Sequence, residues 1–125
     1  MKQPQRQESS LEEDEIVRQY ASGRRDFSNL QFLRYLDLRE VDLPEIVFRN
    51  CHMEGNFNDS NLQRADFSFS YIKTVDFHRT NLIGASFCGA MIDAAEFCGA
   101  QLQDADFQGA TAYQYIFSSG ERPSH

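Results

Sequence analysis

From Gly55 onward the apolar positions recur every five residues: GNFND, SNLQR, ADFSF, SYIKT, VDFHR, TNLIG, ASFCG, AMIDA, AEFCG, AQLQD, ADFQG, ATAYQ, YIFSS. The third residue of each block is large and apolar, except at Ala112. The first is usually small, as at Ala65, Ala85, Ala90, Ala95, Ala100, Ala105 and Ala110, and the second is often Asn, Asp, Glu or Gln. A period of five fits neither the 3.6 of a helix nor the 2.0 of a flat strand. A coil that turns a corner every five residues would point each third residue inward. Gly84, Gly89, Gly99 and Gly109 fall at the fifth position, where a tight turn at positive φ suits glycine.

The identity of the central residue carries longer periods. Phe recurs every ten residues, and Leu62, Leu82 and Leu102 alternate with Ile72 and Ile92 at a period of twenty. Four blocks per turn follow, with like residues stacked between turns about 4.8 Å apart, the spacing of hydrogen-bonded strands. The expected core columns are Phe57, Phe77, Phe97 and Phe117; Leu62, Leu82 and Leu102; Phe67, Phe87 and Phe107; and Ile72 and Ile92 ending at Ala112. Upstream, LDLRE, VDLPE and IVFRN keep the frame, but CHME is one residue short and Tyr35 is one residue extra. Corners absorb such slips, because turns tolerate changes of length that strands do not.

The pattern resembles the pentapeptide-repeat family, whose motif is A(D/N)LXX; NLQRADFSF and AQLQDADFQGA are near matches. The lead-in IVRQYASGRRDFSNL is similar to the start of many short cyanobacterial members. The resemblance implies an all-β solenoid, a right-handed quadrilateral β-helix, here of four to five coils over residues 24–117.

An open β-coil exposes an apolar cross-section and unpaired backbone, so its ends need covers. At the N-terminus an S-x-x-E capping box (Ser10, Glu13), acidic residues at 12–15 and Gly23 as a stop predict a capping α-helix over residues 10–23. Leu11, Ile16, Val17 and Tyr20 give it an apolar side to lay on the first coil. Residues 1–9 are expected to be disordered and residues 118–125 to form a flexible tail. The C-terminal end shows no comparable cap. Tyr113, Tyr115, Ile116 and Phe117 either fold over it or meet a second chain, and the gyrase-interacting members that the resemblance brings in dimerise through this end.

Composition narrows the functional classes. The formal net charge is −7, and no Lys, Arg or His lies between Arg79 and Arg122, which argues against direct binding to nucleic acid or to an anionic membrane. No apolar run predicts a secretory signal or a bilayer span. Three cysteines, Cys51, Cys88 and Cys98, read as free thiols in a reduced, cytoplasmic setting. His78 and Cys98 are twenty apart and should stack in one outward column below Asn58. Two soft ligands are too few for zinc, so the pair reads as neighbouring surface residues, with no metal or cofactor expected. No phosphate loop and no nucleophile with its base is evident, so no catalysis is expected.

The acidic second positions remain. Asp76 and Glu96 should share one outward column and Asp66 and Asp106 another, with Asp93 and Asp104 adding charge to the later coils. These six residues are the expected interaction surface. The function expected is a non-enzymatic binding or scaffold module that offers solenoid faces to a protein partner, with a homodimer through the C-terminal end as a further option. The alternative, implied by the resemblance, is an acidic mimic of duplex DNA that binds DNA gyrase or another DNA-binding protein. A rod of four to five coils, only about 20–24 Å long at strand spacing, is short for that role.

Overall fold

The structure is a computed structural model and describes residues 3–124. The chain winds into a β-solenoid whose rungs are short parallel bridges in four columns. One column runs through Asp26, Val47, Asp66, Ser86 and Asp106, and the next through Gln31, His52, Tyr71, Met91 and Thr111. The third begins with the pairing of Leu36–Asp37 (β3) against Gly55–Asn56 (β4) and continues through Asp76 and Glu96. The fourth joins Asp42, Asn61, Asn81 and Gln101.

The corners explain the fifth position. Asp59, Arg64, Phe69, Arg79 and Asp104 all take positive φ, as do Gly84, Gly89, Gly99 and Gly109. Glycine meets this demand without strain, but the solenoid imposes it on other residues as well. Small first residues fit under the corners. Where they are Ser or Thr, the buried hydroxyl donates to a carbonyl of the coil below: Ser60 to Leu38, Ser70 to Phe48, Thr80 to Phe57.

Both register slips are visible in the bridges. Asp26 pairs with Val47 and Gln31 with His52, an offset of 21. From Leu36–Gly55 to His52–Tyr71 the offset is 19, and from Asn56–Asp76 onward it is 20. The extra residue, Tyr35, is turned out to solvent, 63% exposed. The missing residue is absorbed just before Gly55, where the backbone lies so close to Leu36 that a Cβ would stand 2.5 Å from the Leu36 carbonyl oxygen. The block centres on either side of the Tyr35 slip, Phe27 before it and Leu38, Leu43, Phe48 and Met53 after it, are all buried.

The core is a filled stack of rings. Phe57, Phe77 and Phe97 lie face to face at 5.5 and 5.2 Å, and Phe67, Phe87 and Phe107 at 5.1 and 4.6 Å. The two ladders meet edge to face, as in Phe77–Phe87 at 5.6 Å and 87°. Offset stacks and edge-on pairs both suit the ring quadrupole. Leu62, Leu82, Ile72 and Ile92 fill the other two sides, while Leu102 and Ala112, at the open end, are only partly buried.

The ends differ from the sequence expectations. Gln7–Ser9 (β1), placed in a disordered tail, forms a parallel strand against Leu30–Phe32 (β2). Arg6 and Asn50 extend that docking: Arg6 Nε donates to the Asn50 carbonyl, and Asn50 Nδ2 to the Pro4 carbonyl. Met1 and Lys2 of the expected tail lie outside the described residues. The helix (α1) spans Glu13–Ala21, not 10–23, and its N-cap is Glu12, which makes no side-chain cap. The Ser10–Glu13 capping box does not form, because the strand pairing holds the chain extended through Ser9, whose Oγ accepts the Leu11 N–H. On α1, Ile16 is buried and Leu11 and Tyr20 pack on the core, but Val17 is 38% exposed rather than on the apolar side. Tyr20 also donates its hydroxyl to the Pro44 carbonyl at 2.6 Å.

At the other end, Phe117 leaves the column assigned to it. Thr111–Ala112 (β5) turns back on Tyr115–Ile116 (β6) in an antiparallel hairpin. Phe117 exchanges hydrogen bonds with Gly109 and Ala110 and packs on Phe107 at 6.0 Å instead of stacking on Phe97. The expected flexible tail is tethered in part: Glu121 accepts from the Tyr115 hydroxyl and from the Ser118 N–H. His125 lies outside the described residues.

Candidate functional site

The second residue of a block has a structural task that its exposure conceals. Its side-chain oxygen accepts the backbone N–H two residues on, closing a local turn at the corner. Asn56 does this for Asn58, Asn61 for Gln63, Asp66 for Ser68, Asp76 for His78, Asn81 for Ile83 and Asp106 for Gln108. Asn and Asp serve equally, so the negative charge of Asp66, Asp76 and Asp106 is not what the turn requires. Sequence reasoning placed these side chains outward and missed the turn. The spacing signal was available, since Asx residues recur at one register position.

The acidic second positions stack in two columns. Asp76 bridges to Glu96, and Asp66 through Ser86 to Asp106. Much of the charge is locally matched. Arg49 reaches Asp66 at 3.1 Å, Arg79 reaches Asp59 at 2.8 Å, Arg64 reaches Glu45 at 3.2 Å and Lys73 reaches Asp93 at 3.7 Å. Arg39, hydrogen-bonded to Asp37, holds that carboxyl down at about 2. Asp104 and Asp106 are exposed, on the coil above which no further rung stacks in their columns.

One cluster departs from this scheme. Asp76 and Glu96 both approach the His78 ring: Nδ1 lies 3.3 Å from Asp76 and Nε2 3.4 Å from Glu96. Ligand atoms of the three residues all fall within 4.8 Å of one another. Asn58 holds the arrangement from the coil below, accepting the His78 N–H at 2.8 Å and donating to Asp76 at 3.3 Å. Glu96, His78 and Cys98 line one open groove with Asp93, Ala94 and Ala95. The groove lies beside a corner that breaks the positive-φ series: Ala94 lacks the left-handed conformation taken at the fifth positions on either side of it.

The thiols are separated. Cys51 is buried and donates to the Phe27 carbonyl at 3.1 Å, and burial pushes its thiol up to about 11. Burial also raises Cys88, while Cys98 is exposed. At the C-terminal end, Tyr113, Tyr115 and Ile116 are exposed, whereas Phe117 is turned inward. Among the described residues, no helix is long and apolar enough to cross a membrane.

No curated protein matches the chain in sequence. Residues 73–111 match the family of pentapeptide repeats, in eight copies. The fold is similar to that of QnrB1, a plasmid-mediated fluoroquinolone resistance protein, with a TM-score of 0.58 at 20% identity over 68% of this chain and 47% of that one. It is also similar to HetL from Nostoc sp. strain PCC 7120, a pentapeptide repeat protein involved in heterocyst differentiation regulation, with a TM-score of 0.52 at 24% identity over 74% and 43%. The chain thus spans less than half the length of these two proteins. Residues 73–111 thus carry pentapeptide repeats, and the chain shares a β-helix solenoid fold with solved pentapeptide-repeat proteins.

Proposed function

We propose that the chain is a non-enzymatic interaction module of the cytoplasm, presenting solenoid faces to a protein partner. One observation carries this reading: two interlocked ladders of Phe fill the interior, so the side chains that vary from coil to coil stand on the outside. Four to five coils, closed by α1 at the first, would set those faces as rigid flat surfaces. The face we favour holds Asp104 and Asp106, in the later coils where no basic residue intervenes up to Arg122. The test is a pull-down from native extract with the full chain and with an Asp104→Lys/Asp106→Lys double variant. A partner retained by the first and lost from the second is expected; identical retention by both would remove this face.

The same charge supports a second reading, an acidic mimic acting on DNA gyrase or another DNA-binding protein. The likeness in fold to a fluoroquinolone resistance protein makes gyrase the first candidate to assay. Inhibition of supercoiling by the purified chain is the expected sign, and no effect at high micromolar protein would remove the reading for gyrase. The acids that serve as turn formers or are matched by Arg weigh against it.

We further propose a homodimer through the C-terminal end, where Tyr113, Tyr115 and Ile116 remain exposed on the hairpin. Sedimentation across a concentration series should show self-association that Ile116→Asp weakens; a monomer throughout would refute it.

A further inference from the structure

We propose that Asp76, His78 and Glu96 form a binding site for one divalent transition ion of the zinc class. The three ligand atoms lie within 4.8 Å of one another. An imidazole nitrogen with two carboxylate oxygens suits a borderline ion, and three protein ligands plus water is the open zinc arrangement.

Three features separate this cluster from ordinary surface charge. First, its carboxylates have no Lys or Arg within ion-pair distance among the described residues, a property shared with Asp104 and Asp106 but not with Asp37, Asp59, Asp66 and Asp93, and here two such carboxylates face one imidazole. Arg79 is near enough for its field to act on Asp76, but its guanidinium is engaged by Asp59 through two bonds. Two stacked carboxylates repel, and a dication offsets both.

Second, residue 96 continues the column in which Asp37, Asn56 and Asp76 each close a turn. Glu is one methylene longer and makes no such turn bond with Cys98, but it reaches His78 in the adjacent coil. The position has exchanged a turn former for a side chain of longer reach.

Third, the supporting contacts are in place. The Asp76 carboxylate is fixed by the His78 N–H and by Asn58 Nδ2, so one ligand is pre-oriented. Glu96, with its side chain 61% exposed, is free to close on an ion. The groove beside it, floored by Ala94 and Ala95, leaves room for water ligands. On binding, the ring's contacts with the two carboxylates are exchanged for bonds to the metal.

The probe is Zn²⁺ alone, titrated calorimetrically into the full chain at neutral pH and moderate salt. One ion per chain is expected, together with a rise in Tm that the metal causes and a chelator reverses. His78→Ala and Glu96→Gln should each weaken binding at least tenfold and abolish the Tm rise, with circular dichroism of the metal-free proteins unchanged. Cys98→Ser should bind as the parent does. No saturable binding up to millimolar Zn²⁺ overturns the proposal. So does undiminished binding by His78→Ala, or loss in Cys98→Ser with retention in Glu96→Gln.

Discussion

Gly55→Ala tests the account of the shortened corner. Gly55 is buried and pairs with Leu36, and an added Cβ would stand 2.5 Å from the Leu36 carbonyl oxygen and 3.2 Å from its Cβ. Carbon and oxygen need about 3.3 Å, so β3 and β4 must part by roughly 0.8 Å. The bonds from Leu36 N to Glu54 O and from Leu38 N to Asn56 O, now 2.9 and 2.8 Å, would stretch beyond useful length. Losing two such bonds costs about 2 kcal/mol and overpacking about 1–3 kcal/mol more. Reduced freedom of the unfolded chain returns about 0.4–1 kcal/mol. A net loss of about 2–4 kcal/mol is expected, read from urea unfolding followed by far-UV circular dichroism. Gly120→Ala is the control. Gly120 has φ +85 but nothing within 4 Å, so only backbone strain of about 1–2 kcal/mol applies. A Gly55→Ala loss no greater than that of Gly120→Ala would refute the reasoning.

Further predictions concern the core, the turns, the thiols and acid. Phe77→Ala removes a fully buried ring touching four others and should cost about 3–5 kcal/mol in the same assay, clearly more than Phe117→Ala at the hairpin. Asn81→Asp should be close to neutral and Asn81→Ala should cost about 1 kcal/mol, because only the Ala loses the bond to the Ile83 N–H; equal losses would contradict the turn role. A thiol reagent at mild alkaline pH should label Cys98 first, Cys88 more slowly and Cys51 only on unfolding, as mass analysis of peptides can check. Asp26, Asp37 and Asp59 are held below their ordinary value of 3.8, chiefly by hydrogen bonds from Ser28, Arg39 and Arg79 respectively. Their folded pKa lies below the unfolded one, so their stabilisation is present above 3.8 and is lost as pH falls through the folded values; the urea midpoint should drop between pH 4 and 2.

The repeat was legible because a single geometric rule writes it many times. A residue that must fill the same core column at every turn shows its period directly, as Phe67, Phe87 and Phe107 do. The slips were legible for the same reason, since a frame counted in fives betrays one extra residue at Tyr35 and one missing near Met53. The ends were not, because each end is written only once. The polar segment Gln7–Ser9 carries no strand signal and forms β1 because Leu30–Phe32 offers it an unpaired edge. Likewise YIFSS keeps the repeat pattern, yet Phe117 turns back. With Ala112 small, the Thr111–Ile116 hairpin lays Phe117 on Phe107 in place of a further rung. The Asp76–His78–Glu96 cluster fell between the two cases. Its columns followed from the period, but Asp and Glu were grouped by charge and His78 by softness, which kept apart residues that the corner brings together.

That separation bears on how acidity in this solenoid is weighed. Counting carboxylates treats every Asp as surface charge placed for a partner. The hydrogen bonds divide them differently. Asp66, Asp76 and Asp106 close turns that Asn closes equally well at 56, 61 and 81. Asp104 sits at positive φ, which Asp tolerates better than most residues, and Asp93 is met by Lys73. Glu96 closes no turn and has no basic side chain of Lys or Arg within ion-pair distance, and it is the one that reaches across to His78. If net charge were the functional property, exchanging Asp106 for Asn and exchanging Glu96 for Gln would weaken partner binding alike, since each removes one negative charge. If the particular groups matter, Glu96→Gln would act on metal binding and Asp106→Asn would not, with the fold intact in both. Measuring the two variants side by side, for partner retention and for Zn²⁺ uptake, therefore distinguishes a diffuse acidic surface from a defined site.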